Sequence, residues 1–152
     1  MPDVLTPQQR HRCMSHIRSV ATKPELVVRK WLWTHGYRYR LNVKSVPGKP
    51  DIVMRKYRTA VFVNGCFWHG HKGCKLFVLP KTNTEFWLNK IEYNRARDQK
   101  NCDTLANAGW QVIVLWQCQL SKSELENTMQ QVTVALNDNL LNILKNKPCT
   151  ST

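Results

Sequence analysis

Residues 59–64 read Thr-Ala-Val-Phe-Val-Asn, and residues 110–116 read Trp-Gln-Val-Ile-Val-Leu-Trp. Both stretches are short, apolar and rich in β-branched residues, which predicts two buried strands, the first of them in the centre of a sheet. Between them a long helix is predicted from about Thr84 to Ala108, closed by Gly109 in the position of a C-terminal glycine cap. This order favours a fold in which helices flank a sheet.

Three predicted elements before residue 59 extend this layout. Thr22 and Glu25 have the spacing of a helix-capping box, and the apolar stripe of the helix that follows stops at Gly36. That stripe consists of Leu26, Val27, Trp31 and Leu32. Residues 37–43 alternate like a strand, and residues 51–54 predict a short strand after a turn rich in proline and glycine.

A final helix is predicted from Ser121 to about Leu144. Its apolar residues at helical spacing are Leu125, Met129, Val132, Leu136 and Leu140. The resulting fold class is α/β, a mixed β-sheet flanked by helices. We expect residues 1–152 to form a single domain, because 152 residues with 42% apolar content can bury one core. Residues 7–19 indicate a short helix or an arm, and residues 147–152 a disordered tail.

The charge of the chain is strongly positive, with 23 Lys and Arg against 10 Asp and Glu and a formal charge of +13. This excess favours a polyanionic partner, and nucleic acid is favoured over a membrane because no segment combines a basic face with a long apolar one. A merely basic surface is the alternative. No apolar stretch approaches the roughly eighteen residues that span a bilayer, so we expect a cytoplasmic protein.

A possible Mg²⁺ site lies where two predicted strands meet. Asp51 enters one strand, and Val63 lies on the next strand, 12 residues further along the chain. Mg²⁺ takes oxygen ligands such as a carboxylate, and it stabilises the attacking and leaving oxygens of a phosphodiester. An aspartate after a turn is more often a cap, so a purely structural role is the alternative.

Residues 65–74 (Gly-Cys-Phe-Trp-His-Gly-His-Lys-Gly-Cys) follow neither the helix nor the strand period, which predicts a structured loop. Cysteine and histidine suit tetrahedral Zn²⁺, and three cysteines with one histidine complete a closed structural site. The candidate ligands are Cys66, His71, Cys74 and Cys118. Buried free thiols beside a surface histidine are the alternative. Cys13, Cys102 and Cys149 have no neighbouring ligands and are interpreted as free thiols.

The same loop places two aromatic residues, Phe67 and Trp68, directly before His69. Aromatic wedges unstack DNA at a cost of about a few kcal/mol, and the cost is lowest where base pairing is already defective. Histidine can accept or donate a proton near neutral pH. The loop therefore combines a group suited to distorted DNA with a group suited to proton transfer.

An ordered series of motifs resembles the very short patch repair (Vsr) DNA mismatch endonucleases over roughly residues 8–120. The motifs are Met14 and residues 23–26, 47–51, 64–71, 81–87, 94–98 and 109–110. The resemblance implies a type II restriction endonuclease-like fold with a structural zinc site. It also implies a Mg²⁺-dependent hydrolase of the prokaryotic cytoplasm and nucleoid, which nicks one strand 5′ to the thymine of a T:G mismatch left by deaminated 5-methylcytosine. The expected partners are mismatched double-stranded DNA, a cytosine-5 DNA methyltransferase and downstream repair proteins.

The resemblance also implies roles for individual residues. Asp51 and the main-chain carbonyl of Val63 correspond to Mg²⁺ ligands. His69 corresponds to the histidine that activates the attacking water, with Glu25 and Asp98 as acidic supports. The matched zinc ligands are Cys66, His71, Cys74 and Cys118. The matched DNA-binding residues are Phe67, Trp68, Trp87, Lys90, Asn94 and Met14, the last within a DNA-clamping arm formed by residues 1–20.

Some of these assignments have structural alternatives. Trp87 could be a core residue, Asp98 a partner of a neighbouring arginine, and Glu25 simply the acid of a capping box. The chain also departs from the family pattern in two places. Asn64 stands where a histidine is found in the family, and one additional residue lies between His71 and Cys74.

Two other functions remain open at this point. One is a restriction-type nuclease that cuts both strands of paired DNA, and the other is a non-catalytic, zinc-bearing DNA-binding module. Cleavage of mismatched against paired duplex separates the first from a mismatch endonuclease. An Asp51→Ala variant separates the second, because a binding module does not need that carboxylate. A monomer fits an asymmetric lesion best.

Overall fold

The computed structural model describes residues 22–146 and contains a four-stranded sheet with three helices. The elements in chain order are α1 (Lys23–Thr34), β1 (Arg40–Leu41), β2 (Ile52–Met54), β3 (Thr59–Asn64), α2 (Thr84–Asn107), β4 (Gln111–Trp116) and α3 (Leu125–Asn146). Short 3-10 turns occupy Arg55–Tyr57 and Gln117–Leu120. The predictions for Met14, Cys13, Cys149 and both ends of the chain concern residues outside the described range.

The sheet is mixed and has the order β1-β2-β3-β4. The pairings of β2 with β1 and β3 are antiparallel, whereas β3 and β4 run parallel because α2 makes the crossover between them. Val61 illustrates the central position of β3, since it lies opposite Ile52 on one side and Ile113 on the other. The predicted α/β fold with a mixed sheet is confirmed.

Alternate strand residues point to opposite faces of the sheet, so each face presents apolar side chains. Helices cover both of these faces. On one face, Ile52 and Val61 pack with α1 and α3. The buried helix residues of this cluster are Val28, Trp31, Leu32, Met129, Val132 and Leu136. On the other face, Val53 and Ala60 pack against Leu105 of α2. The sheet thus lies between two helical layers, with α1 and α3 on one face and α2 on the other.

The apolar stripe predicted for α1 is shifted from the true buried face. The residues of α1 that are buried are Glu25, Val28, Trp31 and Leu32, whereas Leu26 is 48% exposed. Residues separated by three, four and seven positions share one face of a helix, and Glu25, Val28 and Leu32 meet that spacing. The prediction erred because it began the stripe at the first large apolar residue, although a carboxylate occupies the buried position.

Several predicted boundaries were also wrong. The strand expected over residues 37–43 is limited to Arg40–Leu41, because Asn42 adopts a left-handed conformation with φ 52°. The strand predicted as buried over residues 110–116 has one buried residue, Leu115, because β4 lies at the edge of the sheet. The helix expected from Ser121 begins only at Leu125. Each helix in residues 22–146 is too short or too polar to span a bilayer.

Candidate functional site

The first part of the site lies where β2 begins and β3 ends. Asp51 directly precedes β2, and its Oδ2 accepts a hydrogen bond from the Val63 backbone N–H at 2.7 Å. The N–H and C=O of one strand residue point toward the same neighbouring strand, so the Val63 carbonyl faces the Asp51 side as well. A carboxylate oxygen and a carbonyl oxygen therefore lie together at the end of two adjacent strands.

The second part of the site is the loop of residues 65–74, which follows β3 directly. It folds back on itself through backbone hydrogen bonds, including His69 N–H to Gly65 at 3.2 Å and His71 N–H to Cys66 at 2.9 Å. Gly70 is buried and has φ +61°, a conformation that glycine adopts at little cost. These turns bring the two ends of the loop close together.

Three cysteines and one histidine converge at the base of this loop. Their ligand atoms all lie within 4.8 Å of one another, so the group could hold a metal ion. The four residues are Cys66, His71, Cys74 and Cys118. His71 Nδ1 is 3.6 Å from the Cys66 sulfur and 3.4 Å from the Cys118 sulfur. The additional residue before Cys74 is accommodated, because Cys74 reaches the other three.

The pKa values of the thiols in this cluster are shifted in different directions. Burial raises the pKa of the Cys66 thiol to about 12 and also raises the pKa of Cys118. The backbone N–H of Leu76 lowers the pKa of Cys74 by donating a hydrogen bond to its sulfur. A bound cation favours thiolates, so metal binding would release protons from this cluster.

Trp116, which the sequence did not single out, orients the histidine of the cluster. Its ring stacks on His71 with centroids 4.1 Å apart and an interplanar angle of 6°. Trp116 ends β4, two residues before Cys118, so the edge strand positions two members of the site. Apolar groups packed around a metal site fix its ligands and limit access of water.

His69 lies in the middle of the loop and is paired with Asp98 of α2. Its Nδ1 lies 2.5 Å from Asp98 Oδ2, and the two side chains are 22% and 27% exposed. The other carboxylate oxygen of Asp98 is 3.5 Å from Arg97, so the alternative of an arginine partner also holds. A proton on Nδ1, shared with the carboxylate, leaves Nε2 as the nitrogen that can accept a proton.

One face of α2 holds the loop through two further residues. Asn94 is buried, and its amide donates a hydrogen bond to the Trp68 carbonyl at 2.8 Å. Arg95 donates to the Gly70 carbonyl through Nε at 3.0 Å and through Nη2 at 2.5 Å. Asn94 thus contacts the loop backbone here, whereas its predicted contact with a base pair stays a prediction. Arg95 was not identified from the sequence, and only the meeting of helix and loop indicates it.

An aromatic cluster forms where the loop meets the start of α2. Phe67, Trp68 and Trp87 contact one another, with ring centroids separated by 5.2, 5.5 and 5.8 Å. Phe86, a further aromatic residue that sequence reasoning missed, lies 5.2 Å from Trp87 and is 58% exposed. The exposed Lys90 holds its Nζ 6.0 Å from the Trp68 ring. Trp87 is half-buried in this cluster, away from the main core.

Glu25 and Asn64 are buried near the ends of their elements. The Thr22 side chain accepts a hydrogen bond from the Glu25 N–H at 3.5 Å, which supports the capping interpretation, and the Glu25 carboxylate pairs with Arg29 at 3.1 Å. Asn64 ends β3 and is 7% exposed. The support of a catalytic centre by Glu25 stays a prediction.

Comparison with known proteins identifies the family to which this chain belongs. A family model described as DNA mismatch endonuclease Vsr matches residues 2–76. The chain is 51% identical over 121 residues to a type II nicking enzyme of Xanthomonas oryzae pv. oryzae, covering 80% of this chain and 88% of the relative. It is also 40% identical over 112 residues to the DNA mismatch endonuclease Vsr of Escherichia coli K12, covering 72% and 71%. The chain belongs to the Vsr family of DNA mismatch endonucleases.

Membership of the Vsr family defines the class of chemistry. Vsr proteins are endonucleases, so the chain is a hydrolase that acts on DNA in mismatch repair. A third relative, a type II nicking enzyme of Neisseria meningitidis serogroup A, is 49% identical over 125 residues, covering 82% of this chain and 89% of the relative. The predicted family is confirmed, and a non-catalytic DNA-binding module is disfavoured.

Proposed function

We propose that this Vsr endonuclease nicks one strand of duplex DNA on the 5′ side of the thymine in a T:G mismatch. Such mismatches arise when 5-methylcytosine deaminates, and the nick begins very short patch repair. One observation carries the proposal: the aromatic residues Phe67 and Trp68 immediately precede His69, whose ring is paired with Asp98. Insertion of the aromatic residues beside a mismatch therefore brings the histidine to the neighbouring phosphodiester.

The aromatic cluster is suited to recognise defective base pairing. Phe67, Trp68 and Trp87 form a half-buried group of three mutually contacting rings on a well-anchored loop and helix. Wedges of this kind cost about a few kcal/mol in lost base stacking, and less at a mismatch, so binding is favoured there. Lys90, beside Trp68, adds a positive charge for the mismatched pair or its phosphates.

Cleavage requires a base that takes a proton from the attacking water. His69 fills this role through Nε2, because Nδ1 is engaged with Asp98, which fixes the tautomer and the orientation of the ring. General bases of this kind contribute about 10²- to 10⁴-fold to a rate. Asp98 acts by positioning His69, and Glu25 supports the centre from α1.

The ends of β2 and β3 fit a Mg²⁺ ion. The Asp51 carboxylate and the Val63 carbonyl face the same side, and oxygen atoms of these types are the ligands that Mg²⁺ prefers. When bound there, Mg²⁺ supplies charge stabilisation for the phosphate and the leaving oxygen. The hydrogen bond from Val63 holds the carboxylate in place for this purpose.

The Cys/His cluster fits a structural Zn²⁺ ion. Zn–S bonds of about 2.3 Å and Zn–N bonds of about 2.0 Å, at tetrahedral angles, separate sulfur from nitrogen by about 3.5 Å. The distances from His71 Nδ1 to the sulfurs of Cys66 and Cys118 are 3.6 and 3.4 Å. The donor set of three sulfurs and one nitrogen is typical of closed zinc sites. Zinc would hold the loop that carries the aromatic residues and His69.

The proposed biological setting follows from the lesion. A cytosine-5 DNA methyltransferase supplies the 5-methylcytosine whose deamination produces the mismatch, and downstream repair proteins replace the nicked strand. The chain acts as a monomer and a single domain, since a T:G pair has no two-fold symmetry for a dimer to match. Residues 1–20, with Met14, contribute a DNA-clamping arm.

The test is strand-specific cleavage of an end-labelled duplex that carries one T:G mismatch, with Mg²⁺ present. The matched controls are the same duplex with a T:A pair and the Asp51→Ala variant. We expect a single nick 5′ to the mispaired thymine for the natural protein, and none for either control. The Asp51→Ala variant should still bind the mismatched duplex, because the aromatic cluster is unchanged. Equal cleavage of both duplexes would instead identify a nuclease without mismatch selectivity.

A further inference from the structure

We propose that Arg95 is a positioning residue for strand cleavage, acting through the carbonyl of Gly70, the residue that follows His69. This inference rests on the proposed function, in which His69 is the general base. Nothing in the family resemblance assigns a role to Arg95. The proposal follows from the contacts between α2 and the loop of residues 65–74.

Arg95 holds the backbone carbonyl of Gly70, the residue after His69. Nε and Nη2 of its guanidinium both donate to the Gly70 oxygen, at 3.0 and 2.5 Å. The half-buried side chain also places its guanidinium carbon 5.4 Å from the centre of the Phe77 ring. A guanidinium is planar and presents its donors in a fixed fork, so two bonds to one acceptor fix direction as well as distance.

Three residues of α2 hold three consecutive residues of the loop. Asn94 holds the Trp68 carbonyl, Asp98 holds the His69 ring and Arg95 holds the Gly70 carbonyl. Asp98 restrains only the direction of the imidazole, because it contacts the ring. The backbone on both sides of His69 is restrained by Asn94 and Arg95. Without Arg95, His69 keeps its contact with Asp98, but the backbone on its C-terminal side is no longer held by a hydrogen bond.

The packing around Gly70 shows how closely the loop approaches this part of α2. A Cβ built on Gly70 would overlap the Ile91 methyl group Cγ2 and lie 2.5 Å from Arg95 Nε. The loop backbone at Gly70 therefore packs directly against the Ile91 and Arg95 side chains of the helix. A displacement of about 1 Å at a catalytic group can reduce a rate by as much as 10²-fold. The bonds from Arg95 oppose such a displacement.

The experiment compares Arg95→Ala, Arg95→Lys and the matched control Arg55→Ala, all on the duplex that the natural enzyme cleaves. Arg55 is exposed and lies in the turn between β2 and β3, at the end of β3 away from the loop. Four quantities are measured: the single-turnover cleavage rate at saturating enzyme, the Kd for the duplex, the metal content per chain, and the rate with added guanidinium.

We expect Arg95→Ala to cleave about tenfold more slowly, with an unchanged Kd and unchanged metal content. Added guanidinium should restore part of the rate, Arg95→Lys should be intermediate, and Arg55→Ala should cleave normally. A natural rate for Arg95→Ala would overturn the proposal. Loss of metal together with the rate would also overturn it, since Arg95 would then stabilise the loop as a whole. Normal cleavage by His69→Ala would instead refute the proposed function.

Discussion

Asp51 and His69 lie on parts of the molecule that are held by different kinds of interaction. Asp51 leads into β2, where Ile52 and Val53 are completely buried and backbone hydrogen bonds join the strand to both neighbours. His69 lies in the loop of residues 65–74, where polar side chains of α2 and a Cys/His cluster make the principal contacts. The sheet end is therefore stabilised by apolar burial, and the loop by directional contacts.

These two kinds of interaction predict that only the loop half of the centre depends on a bound metal ion. Burial of apolar side chains contributes about 25 cal/mol for each Å² removed from water and needs no cofactor. Cys66 is the fully buried apolar side chain of the loop. The other three residues of the Cys/His cluster are only half-buried. Structural zinc in small peptides supplies an apparent binding free energy on the order of 10 kcal/mol, which becomes folding free energy. We therefore expect the loop to depend on metal while the sheet persists without it.

Removal of the structural metal should give the largest difference between the two parts. After treatment with a strong chelator and return to excess Mg²⁺ without Zn²⁺, cleavage should fall by about 1,000-fold, because His69 loses its position. Trypsin should then cut after the exposed Lys72 and Lys75, while the far-ultraviolet circular dichroism of the helices and sheet stays nearly unchanged.

A genetic form of this test uses Cys66→Ala with Cys102→Ala as the matched control. Cys102 is a free, half-buried cysteine on α2 that does not belong to the cluster. The first variant should behave like the metal-free protein, and the second like the natural one. Retention of full cleavage after metal loss, or collapse of the whole circular dichroism signal, would contradict the division into a conditional loop and an independent sheet.

A smaller effect is expected when a single contact between loop and helix is removed. Asp98→Asn should slow cleavage by about 100-fold, because the amide no longer selects the imidazole tautomer that accepts a proton at Nε2. Binding of the mismatched duplex and metal content should not change. Asp103→Asn is the control on the same helix, since Asp103 is exposed and accepts a hydrogen bond from Gln99 rather than from the loop. Equal rates for the two variants would show that Asp98 is only a surface partner of Arg97.

The same contrast explains what could be predicted from the sequence. β3 was recognised because a buried central strand contains a continuous apolar run, which is a local property of residues 60–63. The end of α2 was recognised because Gly109, with φ +87°, suits the position after a helix cap. The four Cys and His ligands were grouped by their chemistry, and the structure brings them together.

The contacts that hold the loop could not be predicted, because they depend on how separate elements meet. Arg95 resembles any basic residue of an exposed helix until the Gly70 carbonyl lies beside it. Trp116 reads as the last residue of a strand, and only the fold stacks it on His71. In α1 the buried face was predicted wrongly because Glu25 lies on it, and a carboxylate on a buried face is exceptional. The periodicity of apolar residues indicates which positions are buried. Functional sites are where a polar residue occupies a buried position, so this pattern fails there.

The smallest effect should separate two glycines of the loop. Gly70 and Gly73 both have positive φ, +61° and +73°, so alanine at either position costs roughly 1–2 kcal/mol of backbone strain. An added Cβ at Gly70 also overlaps Ile91, whereas at Gly73 it meets nothing within 4 Å among the described residues. Gly70→Ala should therefore slow cleavage by about fivefold, and Gly73→Ala should leave the rate unchanged at a temperature where both are folded. Single-turnover rates and thermal unfolding of both variants check this. Equal rates would mean that the approach of the loop to α2 does not position His69.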